Sequence, residues 1–196
     1  MADKLSVTGR KVPGTKKRVP TTKLAMIGAM TAVICVLAPV SIPLPMSPVP
    51  ISLTSLVLFM VLYALGWKAG SVSYGIYLLV GILGLPVFSG FGGGVGKLAG
   101  PTGGYLIGFI FTALVSGWML ERYSGKMWLS VLGMVLGMLV TYLIGTIWLM
   151  RITGTDFVEA LAIGVIPFLP GDILKICVAA IAGPAVRKRL SRAGVL

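Results

Sequence analysis

Four stretches of this chain carry no charged residue at all: Leu24 to Trp67, Ala69 to Gly96, Leu98 to Leu120, and Met127 to Met150. A helix needs about 20 apolar residues to cross a hydrocarbon core of about 30 Å. Each of the last three runs fits one crossing, and the first is long enough for two. A further stretch, Ala160 to Val186, is broken only by Asp172 and Lys175. Six crossings follow. The reading is an all-α integral membrane protein of six transmembrane helices.

Composition closes off the alternative of a water-soluble domain. Hydrophobic residues make up 57% of the 196 and charged residues 11%, against about 25% charged in ordinary soluble domains. With five acids, no histidine and a mean hydropathy of +1.00, the chain lacks the stock for a water-facing surface.

The formal charge of +12 raises nucleic acid as a partner, and its distribution argues against that. Lys4, Arg10, Lys11, Lys16, Lys17, Arg18 and Lys23 crowd the N-terminal segment, and Arg187, Lys188, Arg189 and Arg192 the C-terminal one. Basic residues beside spans set topology and favour anionic membrane lipid. With the N-terminus in the cytoplasm, 14 of the 17 basic residues fall inside and only Lys97 and Arg151 outside. Both termini are therefore expected in the cytoplasm of a plasma-membrane protein. Residues 1–22 read as a basic, disordered tail, 23–190 as the membrane domain and 191–196 as a second cytoplasmic tail. No cleavable signal peptide is evident.

Within the membrane domain, helix 1 is expected over about Thr22 to Val40. Pro39, Pro43, Pro45, Pro48 and Pro50 exclude a helix interior, so an extended loop is expected there. Helices 2 and 3 follow over about Ile51 to Gly66 and Gly70 to Leu85. Pro86 to Gly100 carries six glycines and reads as a functional loop rather than a mere connection. Helix 4 is expected over Pro101 to Leu120, helix 5 over Met127 to Met150, a short surface helix over Phe157 to Ile166, and helix 6 over Pro170 to Val186.

Asp172 and Lys175 are the most informative residues. An ionisable group within a span costs at least about 2.5–3.5 kcal/mol and is a functional candidate by default. Their i, i+3 spacing puts both on one helix face. Asp172 suits a helix start, whereas Lys175 opposes the dipole. The pair either neutralises itself or meets a ligand that bears an anion or carbonyl.

The segment Gly100-Pro101-Thr102-Gly103-Gly104-Tyr105 opens helix 4 with proline in its first turn. Its glycines could leave backbone N–H groups open to a ligand or serve close helix packing. Small residues four apart, Ala25 with Ala29 and Gly133 with Gly137, read on pattern alone as internal packing faces. The glycine loop is no dinucleotide fingerprint, and no Walker motif follows it. With no histidine and so few acids, a metal site, a triad or an intramembrane enzyme finds no residues to build it. Cys35 and Cys177 have no metal-ligand spacing.

Taken together, Pro48-Val-Pro-Ile-Ser-Leu53, Gly81-Ile-Leu-Gly-Leu-Pro-Val-Phe88, Gly100-Pro-Thr-Gly-Gly-Tyr-Leu-Ile-Gly-Phe109 and Pro167-Phe-Leu-Pro-Gly-Asp-Ile-Leu-Lys175 make the chain resemble the BioY family. Members are biotin-specific S components of energy-coupling factor (ECF) transporters. The resemblance runs from about Lys23 to Gly183. It implies the six-helix S-component fold and high-affinity capture of biotin from outside. It also implies a partner module of one coupling protein and two ATP-binding subunits, which would hydrolyse the ATP. Biotin is then a transported ligand, and no cofactor is implied. Ala25 and Ala29 match the Ala-xxx-Ala pattern that meets the coupling protein, which reverses the packing preference above. From the chemistry of biotin, the expected ligand contacts are Asp172 and Lys175 with Gly100, Thr102, Gly103, Gly104 and Tyr105, and Phe88, Phe91 and Gly93 from the glycine loop. Thr54 stands where the family pattern has glutamine. The alternatives are an S component for a different vitamin and a stand-alone biotin transporter.

Overall fold

The computed structural model describes residues 21–194. The expected basic tail over 1–22 falls almost wholly outside the described residues. The chain runs α1 (Thr21–Leu37), β1 (Ser41–Leu44), β2 (Ser47–Ser52), α2 (Thr54–Ile82), α3 (Val95–Ala99), α4 (Gly103–Arg122), α5 (Met127–Thr153), α6 (Phe157–Gly164), a single 3-10 turn (Ile166–Phe168) and α7 (Leu169–Arg192).

Helix α2 is two helices. At Gly66 the backbone turns to φ 75°, ψ 175°, a conformation that glycine alone adopts without strain. A Cβ on Gly70 would stand 3.5 Å from the Cα of Leu62, whereas eight residues of straight helix would separate the two by about 12 Å. The arms 54–65 and 67–82 are therefore antiparallel, and with α1, α4, α5 and α7 they make six crossings. The turn is tied down where the Trp67 N–H donates to Oε2 of Glu121 at 3.1 Å.

Two expectations are corrected. Helix α1 ends at Leu37, not Val40, because the residue before Pro39 is pushed out of the helical region. The proline-rich stretch is not an extended loop but an antiparallel hairpin, pairing Ser41 with Ser52, Ile42 with Ile51 and Leu44 with Ser47. A two-stranded sheet has only edge strands, where proline's missing donor can face away from the ladder. Smaller shifts occur elsewhere: α4 begins two residues late, at Gly103, and α7 continues to Arg192.

Lipid chains offer no hydrophobic drive between helices, so packing rests on small residues and hydrogen bonds. The α4–α5 contact shows both. The Thr112 hydroxyl donates to the Gly137 carbonyl at 2.6 Å and the Ser116 hydroxyl to the Gly133 carbonyl at 2.9 Å. A Cβ on Gly137 would collide with Ser116 Oγ. Thr31 of α1 likewise meets Ser73 of α2, hydroxyl to hydroxyl at 2.9 Å. Fully buried Leu58, Phe59, Tyr74, Tyr77 and Met134 fill the centre. Large apolar side chains such as Leu79, Leu143 and Ile181 point outward, as lipid-facing residues should.

The hairpin, the 84–102 segment and α6 lie at one end of the bundle. The Gly90 N–H donates to the Pro39 carbonyl and the Gly94 N–H to the Gly81 carbonyl, so the loop folds back over the ends of α1 and α2. The Gly66 turn, the α4–α5 turn and the end of α7 lie at the other end. That end collects Lys68, Arg122, Lys126, Arg187, Lys188, Arg189 and Arg192, against Lys97 and Arg151 at the hairpin end.

Candidate ligand-binding site

Three of the spanning helices begin at the hairpin end: α2 at Thr54, α4 at Gly103 and α7 at Leu169. Their first turns, with β2 and the middle of α5, surround a cavity of about 540 Å³ including its open mouth. Helix N-termini carry partial positive charge, so three of them give the cavity a field that favours acceptor groups.

Pro170 sits in the first turn of α7, where its missing donor is no loss. Two residues on, Asp172 enters the wall. It is buried, and its carboxylate accepts three hydrogen bonds. Lys175 Nζ reaches Oδ1 at 2.8 Å and the Ser55 hydroxyl reaches the same oxygen at 3.3 Å. The Tyr142 hydroxyl donates to Oδ2. Long helical side chains lean toward the N-terminus, which is how Lys175 lies back over Asp172. Its side chain is 12% exposed. One of its three donors serves Asp172.

Four of the residues singled out in the sequence line the cavity together: Asp172, Lys175, Thr102 and Tyr105. The Tyr105 hydroxyl is occupied by the Gly164 carbonyl at 2.8 Å, so Tyr105 offers the cavity its ring. The others lie outside the lining. Gly103 and Gly104 are contact points, since a Cβ would strike the Leu98 carbonyl in the first case and Trp148 in the second. The Gly100 carbonyl accepts from the Trp148 indole at 3.0 Å. Phe88 is fully buried and stacks edge-on against Tyr77 with centroids 5.5 Å apart. Gly93 packs on the Leu85 carbonyl. Phe91 is 68% exposed, standing out from the loop at a φ of 55°.

Sequence reasoning passed over Ser55, Tyr142, Phe109, Met138 and Thr141, all of which line the cavity. A signal existed for the α5 residues. Met138, Thr141 and Tyr142 lie on the buried stripe that also carries Gly133, Gly137 and Gly145. Thr54 lines the cavity as well and accepts from the Ser52 hydroxyl at 3.0 Å.

Six apolar crossings around a polar cavity define a class, the multi-pass membrane proteins that hold a charged pair inside an apolar bundle. Within that class, the chain belongs to the BioY family, whose family model matches residues 11–192. The Biotin transporter BioY of Thermotoga maritima is 39% identical over 166 residues, 85% of this chain and 96% of that protein. The Probable biotin transporter BioY of Pyrococcus horikoshii is 39% identical over 159 residues, covering 81% and 92%. The fold matches a crystal structure at 2.1 Å of the S-component for biotin from an ECF-type ABC transporter. The TM-score is 0.79 at 30% identity, with 86% of this chain and 92% of that one covered. The fold is thus that of an S component, and the family is one of transport proteins rather than enzymes.

Proposed function

We propose that this protein takes up biotin as the high-affinity substrate-binding subunit of an ECF-type transporter. In this reading it captures biotin at the hairpin end, which faces outward, and delivers it with a coupling protein and two ATP-binding subunits. The observation that carries the reading is the Asp172–Lys175 pair, set in an apolar bundle and open to a cavity, in a chain of the BioY family.

The ureido ring of biotin offers two N–H donors and one carbonyl acceptor. Asp172, already oriented by Ser55 and Tyr142, accepts from a ureido N–H. Lys175 donates to the carbonyl with a proton that Asp172 does not use. Tyr105, Phe109 and Met138 pack against the fused rings and the chain. Thr102 stands close enough to the α4 N-terminus to serve the polar rim. The glycine loop, with Phe88, Phe91 and Gly93, and the Gly100–Gly104 turn support this reading as the scaffold that closes over the ligand.

The orientation rests on charge. The end opposite the hairpin holds most of the basic residues of the described chain, and basic residues stay in the cytoplasm. Both termini are then cytoplasmic, the protein is a multi-pass plasma-membrane protein, residues 23–190 are its membrane domain and 1–22 and 191–196 its tails. Ala25 and Ala29 are exposed on α1, and a Cβ on Gly28 between them would meet nothing within 4 Å. A flat small-residue face of this kind lets another helix approach closely, here that of the coupling protein.

The deciding test is titration of the purified, ligand-free protein with biotin by calorimetry. Tight one-to-one binding supports the assignment. A folded sample that ignores biotin and binds another vitamin would keep the S-component fold and overturn the ligand.

A further inference from the structure

A second cavity lies at the opposite end of the bundle. Its volume is about 700 Å³ including its open mouth, and it is bounded by the first arm of α2, the α4–α5 turn and the part of α7 from Ala180 to Arg187. It shares no lining residue with the ligand cavity. Leu58 and Phe59 on α2, Met134 on α5, and Ile176 and Ala179 on α7 are all buried between the two.

Its walls are apolar, from Leu120, Met127 and Ala180, but three polar groups there are poorly paired among the described residues. The Tyr63 hydroxyl is buried and makes no well-formed hydrogen bond, only a loose approach to the Ser130 side chain, although its ring is clamped where a Cβ on Gly183 would overlap it. Pro184, inside α7, has no N–H to give the carbonyl four residues back, and that carbonyl belongs to Ala180 in the same wall. Arg187 closes the rim with no carboxylate within 4 Å among the described residues. A buried hydroxyl left poorly paired is costly, so the cavity suits an occupant that brings acceptors for Tyr63 and Arg187 and a donor for the Ala180 carbonyl.

We infer that this cavity is a binding site for the phosphate headgroup of an anionic phospholipid from the adjoining leaflet. The charge complement is a cation with no carboxylate against it among the described residues, backed by the other basic residues at this end. The cavity has apolar walls suited to glycerol and the first carbons of the acyl chains. Basic pockets between transmembrane helices take such headgroups. Arg187 pairs with the phosphate, and Tyr63 donates to a phosphate or ester oxygen. Ser124 in the α4–α5 turn and Ser130 at the start of α5 add donors, and a headgroup hydroxyl meets the Ala180 carbonyl.

The test uses the delipidated full chain in neutral detergent, with phosphatidylglycerol and phosphatidylcholine of identical acyl chains added in turn. Native mass spectrometry reads stoichiometry, and thermal unfolding reads stabilisation. One phosphatidylglycerol should bind saturably and in preference to phosphatidylcholine. Arg187→Gln should weaken it about fivefold or more and Tyr63→Phe by several-fold, while Arg192→Gln, at the same end but outside the wall, leaves it unchanged. Equal binding of the two lipids would overturn the inference, as would an Arg187→Gln effect no larger than that of Arg192→Gln. Protection by soluble glycerol phosphate equal to that by phosphatidylglycerol would replace the lipid by a free anion. None of these readouts depends on which ligand occupies the other end.

Discussion

The Tyr142 hydroxyl donates to Oδ2 of Asp172, and among the described residues it is the one side-chain hydrogen bond that joins α5 to α7. Asp172 therefore has two duties. It faces the ligand cavity, and it is the point at which three helices, α2 through Ser55, α5 through Tyr142 and α7 itself, are held together.

Replacing Asp172 by Asn removes a charge-assisted acceptor and leaves Lys175 without its counterion. Hydrogen bonds to charged groups are worth about 1.5–3 kcal/mol, so biotin affinity should fall roughly 10- to 150-fold. Calorimetry on detergent-purified protein that elutes as a single folded species checks this. Wild-type affinity in such a sample would remove Asp172 from the ligand contacts.

Tyr142→Phe keeps the ring and deletes one donor to the carboxylate. The expected loss of stability is about 1–2 kcal/mol, seen as a lower thermal midpoint. Because Ser55 and Lys175 still hold Oδ1, the loss of biotin affinity should be smaller than for Asp172→Asn. An equal or greater loss would make Tyr142 a direct ligand contact.

Gly137→Val tests the close approach of α4 and α5. Even the first added carbon meets Ser116 Oγ, and Thr112 Cγ2 is 3.1 Å away, so the helices must separate and weaken two interhelical hydrogen bonds. Overpacking costs about 1–3 kcal/mol. Unfolding in detergent should show that loss, whereas Gly28→Val, whose first added carbon meets nothing within 4 Å, should leave stability nearly unchanged.

Leucine at both Ala25 and Ala29 should leave biotin binding intact, since neither residue lines the ligand cavity. Co-purification with a coupling protein and its ATP-binding subunits should be lost. Retained assembly would move the partner face elsewhere on the bundle.

The spans were legible because water-soluble folds need charge on their surfaces, and a run of about 20 residues without any belongs in lipid. The Asp172–Lys175 pair was legible for the converse reason, as charge where lipid forbids it. The hairpin was not. Pro43, Pro48 and Pro50 argue against ladder pairing, and only the fact that both strands are edges makes them tolerable. Ser55 and Tyr142 were hidden because serine and tyrosine occur in spans for many reasons. Their role depends on a contact across 117 and 30 residues of chain. Gly103 and Gly104 were noticed, but a glycine reads alike whether it exposes backbone to a ligand or admits a neighbouring side chain. The positions of Leu98 and Trp148 distinguish the two.

The buried layer of Leu58, Phe59, Met134, Ile176 and Ala179 has an electrical consequence. The membrane potential acts on any charge held inside the bundle. Asp172 and Lys175 sit on one side of the layer and together carry no net charge, so the field exerts little net force on the pair.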